Sequence, residues 1–203
     1  MNSVLLLSGG VESVTLLYTQ YRHHPICAVS IDYAQRAAKE EQAAARWHCA
    51  QLGVKLQILD LAAVGTAFRA GQTLKLHVPL PHRNLVALSL GLSYATQIHA
   101  QRLYLALNQE DTSAYPSASH AFITQFQALA RTLGEIDIAT PFIGLSKTEI
   151  IQNGQTLKVD YTRTYSCLRG GPQHCGRCPQ CQKRRAAFQA AGVAEPDDFY
   201  RKG

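Results

Sequence analysis

The chain is short of acid relative to base, and it has no long apolar run and no internal repeat. Its 203 residues carry 20 Lys and Arg against 14 Asp and Glu, a formal charge of +6. That balance favours anionic ligands without requiring nucleic acid. No apolar stretch approaches the ~20 residues that cross a bilayer, so no membrane-spanning helix is expected. The N-terminus runs straight into a strand with no basic leader or cleavage site, and a cytoplasmic protein is expected. Without repeats or low-complexity segments, the length reads as one main domain with a small appendage. The first strand is followed neither by the Gly-Lys-Ser/Thr of a Walker loop nor by the Gly-x-Gly-x-x-Gly of a dinucleotide turn.

Instead, the first strand runs into Leu7-Ser8-Gly9-Gly10-Val11-Glu12-Ser13, and an apolar helical stripe resumes at Val14. A strand that breaks at Ser-Gly-Gly and re-enters a helix leaves backbone N–H groups unpaired at the helix start. Gly9 and Gly10 let anionic oxygens approach that backbone, and the Ser8 and Ser13 hydroxyls add donors. A phosphate or pyrophosphate cradle is the expectation; a Gly-Gly turn present for steric reasons alone is the alternative.

Further along, residues 26–32 read as a buried strand, 54–59 as a third strand and 37–52 as an Ala-rich helix ended by Gly53, with a short helix over 61–69. Residues 70–82, punctuated by Pro79-Leu80-Pro81, read as a surface loop. Arg83-Asn84 opens a helix to about 99, a strand is expected over 103–107 and a polar loop over 108–119. A helix over 120–133, a short strand over 136–138 and a capping box at Ser146-Lys147-Thr148-Glu149 complete the pattern. Strands this apolar, alternating with helices, predict an α/β fold with a doubly wound parallel sheet covered on both faces. The loops after strands one, two and four then share the C-terminal sheet edge, where such folds bind ligands.

Of six cysteines, Cys167, Cys175, Cys178 and Cys181 crowd near the C-terminus, while Cys27 and Cys49 read as core residues. Cys-x-x-Cys-x-x-Cys with an upstream thiol across Gly170-Gly171-Pro172 predicts a closed, structural four-thiolate site. Zn²⁺ is favoured over an iron–sulfur cluster, because the ferredoxin run would place a further Cys where Arg185 stands. The division expected is residues 1–160 for the α/β domain and 161–203 for a zinc knuckle with a basic helix. The charges at Arg177, Lys183, Arg184 and Arg185 suit either a solvated helix face or an RNA contact.

The Ser-Gly-Gly-x-acid-Ser turn together with the four-cysteine knuckle resembles the QueC family, the 7-cyano-7-deazaguanine synthases of queuosine biosynthesis within the N-type ATP pyrophosphatases. The likeness continues through Asp32-Tyr33-Ala34-Gln35-Arg36, Arg83-Asn84, Asp111 to Pro116, Thr140-Pro141 and Ser146-Lys147. It implies an ATP-dependent ligase that adenylates 7-carboxy-7-deazaguanine and lets ammonia form the amide. A second adenylation then dehydrates the amide to the nitrile, releasing AMP and pyrophosphate. ATP with Mg²⁺ would lie against Leu7, Ser8, Gly9, Gly10, Val11, Glu12, Ser13, Asp32, Gln35 and Arg36. Substrate would meet Arg83, Asn84, Asp111, Tyr115 and Pro116, and Glu12, Arg83 and Lys147 would act in catalysis. A homodimer is compatible with the resemblance, a membrane partner is not expected, and nucleic acid is allowed but not required.

Several stretches depart from the family pattern. Glu12 stands where the family has Asp, and Ser117-Ala118-Ser119 where it has Asp-Cys-Arg. Ala34-Gln35-Arg36-Ala37 replaces Gly-Gln-Arg-His, and the segment before Arg83 is shorter. Two further readings therefore stand beside the synthase. One is a relative that joins the acyl group to another amine, on a protein or nucleic acid. The other is a tRNA-modifying ATP pyrophosphatase. A zinc-knuckle nucleic-acid binder ranks last, since it would not need the preceding sheet.

Overall fold

The computed structural model describes residues 2–69 and 80–201, so most of the loop expected over 70–82 lies outside the described residues. In chain order the elements are β1 (Ser3–Leu6), α1 (Val11–Gln20), β2 (Ile26–Asp32), α2 (Ala38–Leu52), β3 (Lys55–Asp60), α3 (Ala62–Arg69) and α4 (Arg83–Gln97). Next come β4 (Arg102–Tyr104), α5 (Gln109–Ala114), α6 (His120–Leu133), β5 (Asp137–Ala139), α7 (Lys147–Thr156) and α8 (Pro179–Ala190). Among the described residues the strands form one five-stranded sheet, ordered β3-β2-β1-β4-β5. Every pairing is parallel, with Leu5 opposite Ala28 on one side and Tyr104 on the other. The winding reverses between β1 and β4, which leaves a crevice at their C-terminal ends.

Side chains alternate across the sheet, so β1 feeds two cores. Leu5 and Leu7 join Val14, Leu17, Ile150 and Ile151 on one face, and Val4 and Leu6 join Leu88, Leu103 and Phe126 on the other. Strands buried on both sides explain why β1 and β2 read as continuous apolar runs. Ala187 and Phe188 of α8 belong to the first of these cores, so the C-terminal helix packs on the α/β body. Cys27 and Cys49 are buried as expected.

The segment 108–119 is not the plain loop its polarity suggested. Asn108 and Asp111 close a reciprocal capping box that starts α5, and Pro116–Ala118 forms a 3-10 turn. The Asp111 N–H donates to Asn108 Oδ1 at 2.8 Å, satisfying helix-start donors that water would otherwise take. β4 is also shorter than the expected 103–107, because its pairing with β1 ends at Tyr104.

One buried histidine makes stability depend on pH. His48 is fully buried on α2 with Nδ1 3.1 Å from the Tyr18 hydroxyl. Burial pushes its pKa down to about 4, against an ordinary value of 6.5. The unfolded chain therefore binds a proton that the folded chain refuses between these values. The stability contributed is complete above pH 6.5 and falls as the pH drops toward 4, by up to about 1.4 kcal/mol per unit. Urea midpoints of wild type and His48→Leu measured between pH 7 and 4.5 should converge as the pH falls; parallel curves would contradict this.

Candidate active site and metal centre

The chain leaves β1 at Leu7, whose N–H still donates to Val29 O at 2.8 Å, and turns through Ser8-Gly9-Gly10 into α1. Gly9 sits at φ +76°, and a Cβ there would overlap the Glu41 carbonyl oxygen on α2. The turn is braced internally. The Ser8 N–H donates to Ser13 Oγ at 3.2 Å, the two hydroxyls lie 3.0 Å apart, and Ser13 Oγ donates to Gly10 O at 3.3 Å. Gly10 is the N-cap and no side chain caps it, so the first N–H groups of α1 remain free for an anion. Gly9→Ala should destabilise the fold by about 2–4 kcal/mol, combining left-handed strain with a backbone overlap. Chemical denaturation would show it, and an unchanged midpoint would mean the turn relaxes freely.

An open cavity of about 290 Å³ lies over this turn at the sheet edge. Leu7, Ser8, Gly10, Glu12, Ser13, Gln35, Arg83, Asn84, Asp111, Tyr115 and Lys147 all line it, drawing together five separate stretches of the chain. Gly9 and Val11 support the turn from behind, Val11 being fully buried. Three other expected contacts fall elsewhere. Asp32 spends its carboxylate on its own loop, accepting from the Ala34 N–H at 2.9 Å and from Gln42 Nε2 at 3.0 Å. Arg36 is exposed and Pro116 opens the 3-10 turn, and the cavity wall includes neither.

The floor of the cavity is a charged pair. Lys147 Nζ lies 2.8 Å from Glu12 Oε1, which also accepts from Asn108 Nδ2 at 3.1 Å. Burial alone would raise the Glu12 carboxyl; the Lys147 ammonium outweighs it and holds the group below the usual range. Burial likewise works against the Lys147 charge, and the Glu12 carboxylate reverses that, so the pair is ionised at neutral pH. Asp111 moves the other way, raised first by burial and then by the negative charge of Glu12. Lys147 is the residue after the Ser146 N-cap of α7, and the capping box with Glu149 fixes where it begins. Arg83, in the first turn of α4, places its guanidinium 5.6 Å from the centre of the Tyr115 ring.

Tyr33, within the β2 exit loop expected at the site, lines the cavity, whereas sequence reasoning missed Glu41, Tyr165, Ser166 and Gln180. Glu41 reads in sequence as an ordinary acidic residue in the first turn of a helix, and nothing but the fold turns it inward.

The four cysteine sulfurs of Cys167, Cys175, Cys178 and Cys181 lie within 4.8 Å of one another and could hold a metal ion. Gly170, at φ +69° against the Arg36 carbonyl, turns the chain between Cys167 and the other three. Backbone N–H groups point at the sulfurs. Cys178 and Arg177 donate to Cys175 Sγ at 3.3 and 3.5 Å, and Cys175 to Cys167 Sγ at 3.4 Å. Burial works against a thiolate at Cys175, and the Arg177 and Cys178 N–H groups bonded to its sulfur favour one, as a metal ligand requires.

Arg184 departs from both readings of the basic cluster, since it is fully buried. It pairs with Glu195 at 2.7 Å and donates to Thr164 Oγ1, Tyr161 O and Ser166 Oγ at 2.8, 2.8 and 3.2 Å. Its guanidinium lies between the Phe188 and Phe199 rings, 4.8 and 4.5 Å from their centres. The segment it holds includes Tyr165, whose N–H donates to Gly9 O at 2.9 Å. The four-cysteine cluster and the glycine turn are thus one connected structure.

This sheet order with a glycine turn and cavity at the β1 switch point defines the parallel α/β fold of the ATP pyrophosphatases. It superposes on the NH3-dependent NAD synthetase of Campylobacter jejuni with a TM-score of 0.56 at 19% identity, covering 78% of this chain and 65% of that one. It also matches the U34-tRNA thiolase NcsA of Methanococcus maripaludis, a [4Fe-4S] protein, with a TM-score of 0.57 at 14% identity over 93% and 64%. Within that class, the model of the queuosine biosynthesis protein QueC matches residues 2–192, and the chain belongs to that family. The 7-cyano-7-deazaguanine synthase of Brucella anthropi is 33% identical over 99% of this chain and 97% of its own length. Synthase 1 of Sulfurisphaera tokodaii is 31% identical over 98% of both. Among the described residues no helix is long and apolar enough to cross a membrane.

Proposed function

We propose that the chain is an ATP-dependent ligase that converts 7-carboxy-7-deazaguanine and ammonia to 7-cyano-7-deazaguanine. The observation that carries this reading is the ionised Lys147–Glu12 pair beside a helix start with free N–H groups, in one cavity with Arg83. A carboxylate is a poor acyl donor until its oxygen carries AMP. The first displacement forms the carboxyl–AMP bond and breaks the α–β phosphate bond, and pyrophosphate leaves toward the Ser8–Ser13 turn. Ammonia then takes the acyl group, AMP departs and one proton is released. The second ATP adenylates the amide oxygen, and loss of AMP and the two nitrogen protons leaves the nitrile. Lys147 and Arg83 stabilise phosphate charge as it develops, and the cavity aligns the reacting oxygens.

Magnesium fits the carboxylates present. Glu12 and Asp111 both line the cavity and offer the carboxylate oxygens that would hold it. Bound with ATP, it would neutralise phosphate charge. For the cysteine site Zn²⁺ is the better fit. Thiolates about 2.3 Å from one ion sit about 3.8 Å apart, and Cys175 and Cys181 are 4.0 Å apart here, whereas ligands spread over four irons lie further from each other.

A second reading rests on residues 117–119. Ser117 is buried, with its carbonyl accepting from Asn84 Nδ2 at 3.2 Å, and Ser119 caps α6. The charges the family places there are absent, which suits a relative that hands the acyl group to another amine. Incubation with ATP, ammonia and 7-carboxy-7-deazaguanine, followed by mass detection, separates the two. The nitrile with acid-dependent AMP supports the synthase, AMP without nitrile supports the relative, and no acid-dependent AMP rejects both.

A further inference from the structure

We infer that Glu41 reads the ribose hydroxyls of the nucleotide. The inference rests on the proposed use of ATP, and its ground is where the Glu41 carboxylate is held. Its backbone carbonyl backs directly onto Gly9, so α2 delivers the side chain beside the phosphate turn. Gln35 Nε2 donates to Glu41 Oε2 at 2.8 Å and to Ile31 O at 3.3 Å, which ties the carboxylate to the end of β2. Gln35 is itself fixed, because its Oε1 accepts from the Tyr33 N–H at 2.9 Å. The carboxylate therefore stands between the anion turn and an apolar wall of Val29, Ile31, Leu80, Val86 and Ala87 that accepts a flat base.

A nucleotide that puts its phosphates on the turn and its base on that wall brings its sugar to Glu41. The chemistry agrees. In a cavity built for a triphosphate and a carboxylate, a further carboxylate repels the charged groups and attracts only donors. Adjacent 2′- and 3′-hydroxyls are two neutral donors spaced to share one carboxylate, the recognition used at the end of β2 in dinucleotide folds. Asp32, at the end of β2 here, has both oxygens occupied by Ala34 and Gln42. Glu41 has one oxygen committed to Gln35, and it lines the cavity. Burial holds its pKa above the ordinary carboxylate value, with the Gln35 bond and the Arg83 charge working against that rise, so a hydroxyl donor would complete its solvation.

The test is equilibrium binding of ATP, 2′-deoxyATP and 3′-deoxyATP to wild type, Glu41→Gln and Glu41→Ala, with Mg²⁺ and without the deazaguanine acid. Hydrogen bonds to a charged acceptor predict that wild type prefers ATP to a deoxy analogue by about 10-fold or more. The preference should shrink to about 2-fold in Glu41→Ala, with Glu41→Gln between. Folding is checked by the thermal midpoint, and Gln35→Ala should weaken the preference less than Glu41→Ala does. Variants that bind all three nucleotides more weakly but keep the wild-type preference overturn the inference, as does a wild type indifferent to the hydroxyls. A wild type that binds no adenine nucleotide overturns the ATP reading and this inference together.

Discussion

Lys147→Met is expected to lower acid-dependent AMP formation by about 10²–10³-fold, the cost of losing one preorganised charge at a transition state. The residue is buried on the cavity floor with a 2.8 Å contact to Glu12, so no neighbouring solvent cation can substitute for it. The same change leaves the Glu12 carboxylate, among the described residues, with Asn108 as its side-chain hydrogen-bond partner, and stability should fall by up to about 3 kcal/mol. Adding Glu12→Gln removes that stranded charge, so the double variant should regain much of the stability and none of the activity. Denaturant midpoints and AMP release measured on all three proteins check it. Equal activity in Lys147→Met and wild type would remove Lys147 from the chemistry. Glu12→Asp is the complementary case. It should keep or raise activity if the acid holds a metal, and a loss would show that Asn108 and Lys147 have adapted to the longer side chain.

Metal removal is the second large effect. The knuckle holds four thiols whose sulfurs converge, inside a small apolar cluster of Ala37, Ala44, Tyr165, Leu168 and Tyr200. Structural zinc contributes about 10–16 kcal/mol in peptide sites. Even a third of that, at roughly 2–4 °C per kcal/mol for a chain of this size, lowers Tm by about 10–20 °C. Chelation or Cys178→Ser should therefore release one metal ion per chain and lower Tm by that amount. The effect should reach the active site, because Cys167 follows Tyr165 and Ser166, which line the cavity, and Tyr165 donates to Gly9. ATP binding should weaken in parallel with metal content. Metal loss with an unshifted Tm and intact ATP binding would show that the knuckle is ornamental to this fold. A colourless protein with one zinc supports the ion chosen here, and visible absorbance would replace it with a cluster.

Much of this molecule was legible in the residues because local physics decided it. Apolar runs of four to seven residues, bounded by turn signals and alternating with helical stripes, read as strands, and β1 and β2 are such runs. The Ser-Gly-Gly turn announced free N–H groups, and thiol spacing announced a cluster that could hold a metal ion, since both depend on neighbours within a few positions. The short elements were less visible. Segment 108–119 looks polar, and only the reciprocal bonding of Asn108 and Asp111 makes its first half a helix.

Where long side chains end was settled by tertiary packing alone. Asp32 and Glu41 are both acids near the β2 exit. The loop folds onto Asp32 and consumes it, while α2 turns Glu41 into the cavity. Arg184 stands beside Lys183 and Arg185 in sequence, yet it is buried between two phenylalanines because α8 lies on the core and the tail returns over it. A charge is placed by partners distant in the chain, through desolvation and pairing that no local pattern encodes. Residue order and spacing were enough for the fold, the anion turn and the four-thiol centre. The packing of α2, α7 and α8 against the sheet determined which charges serve the site and which hold it together.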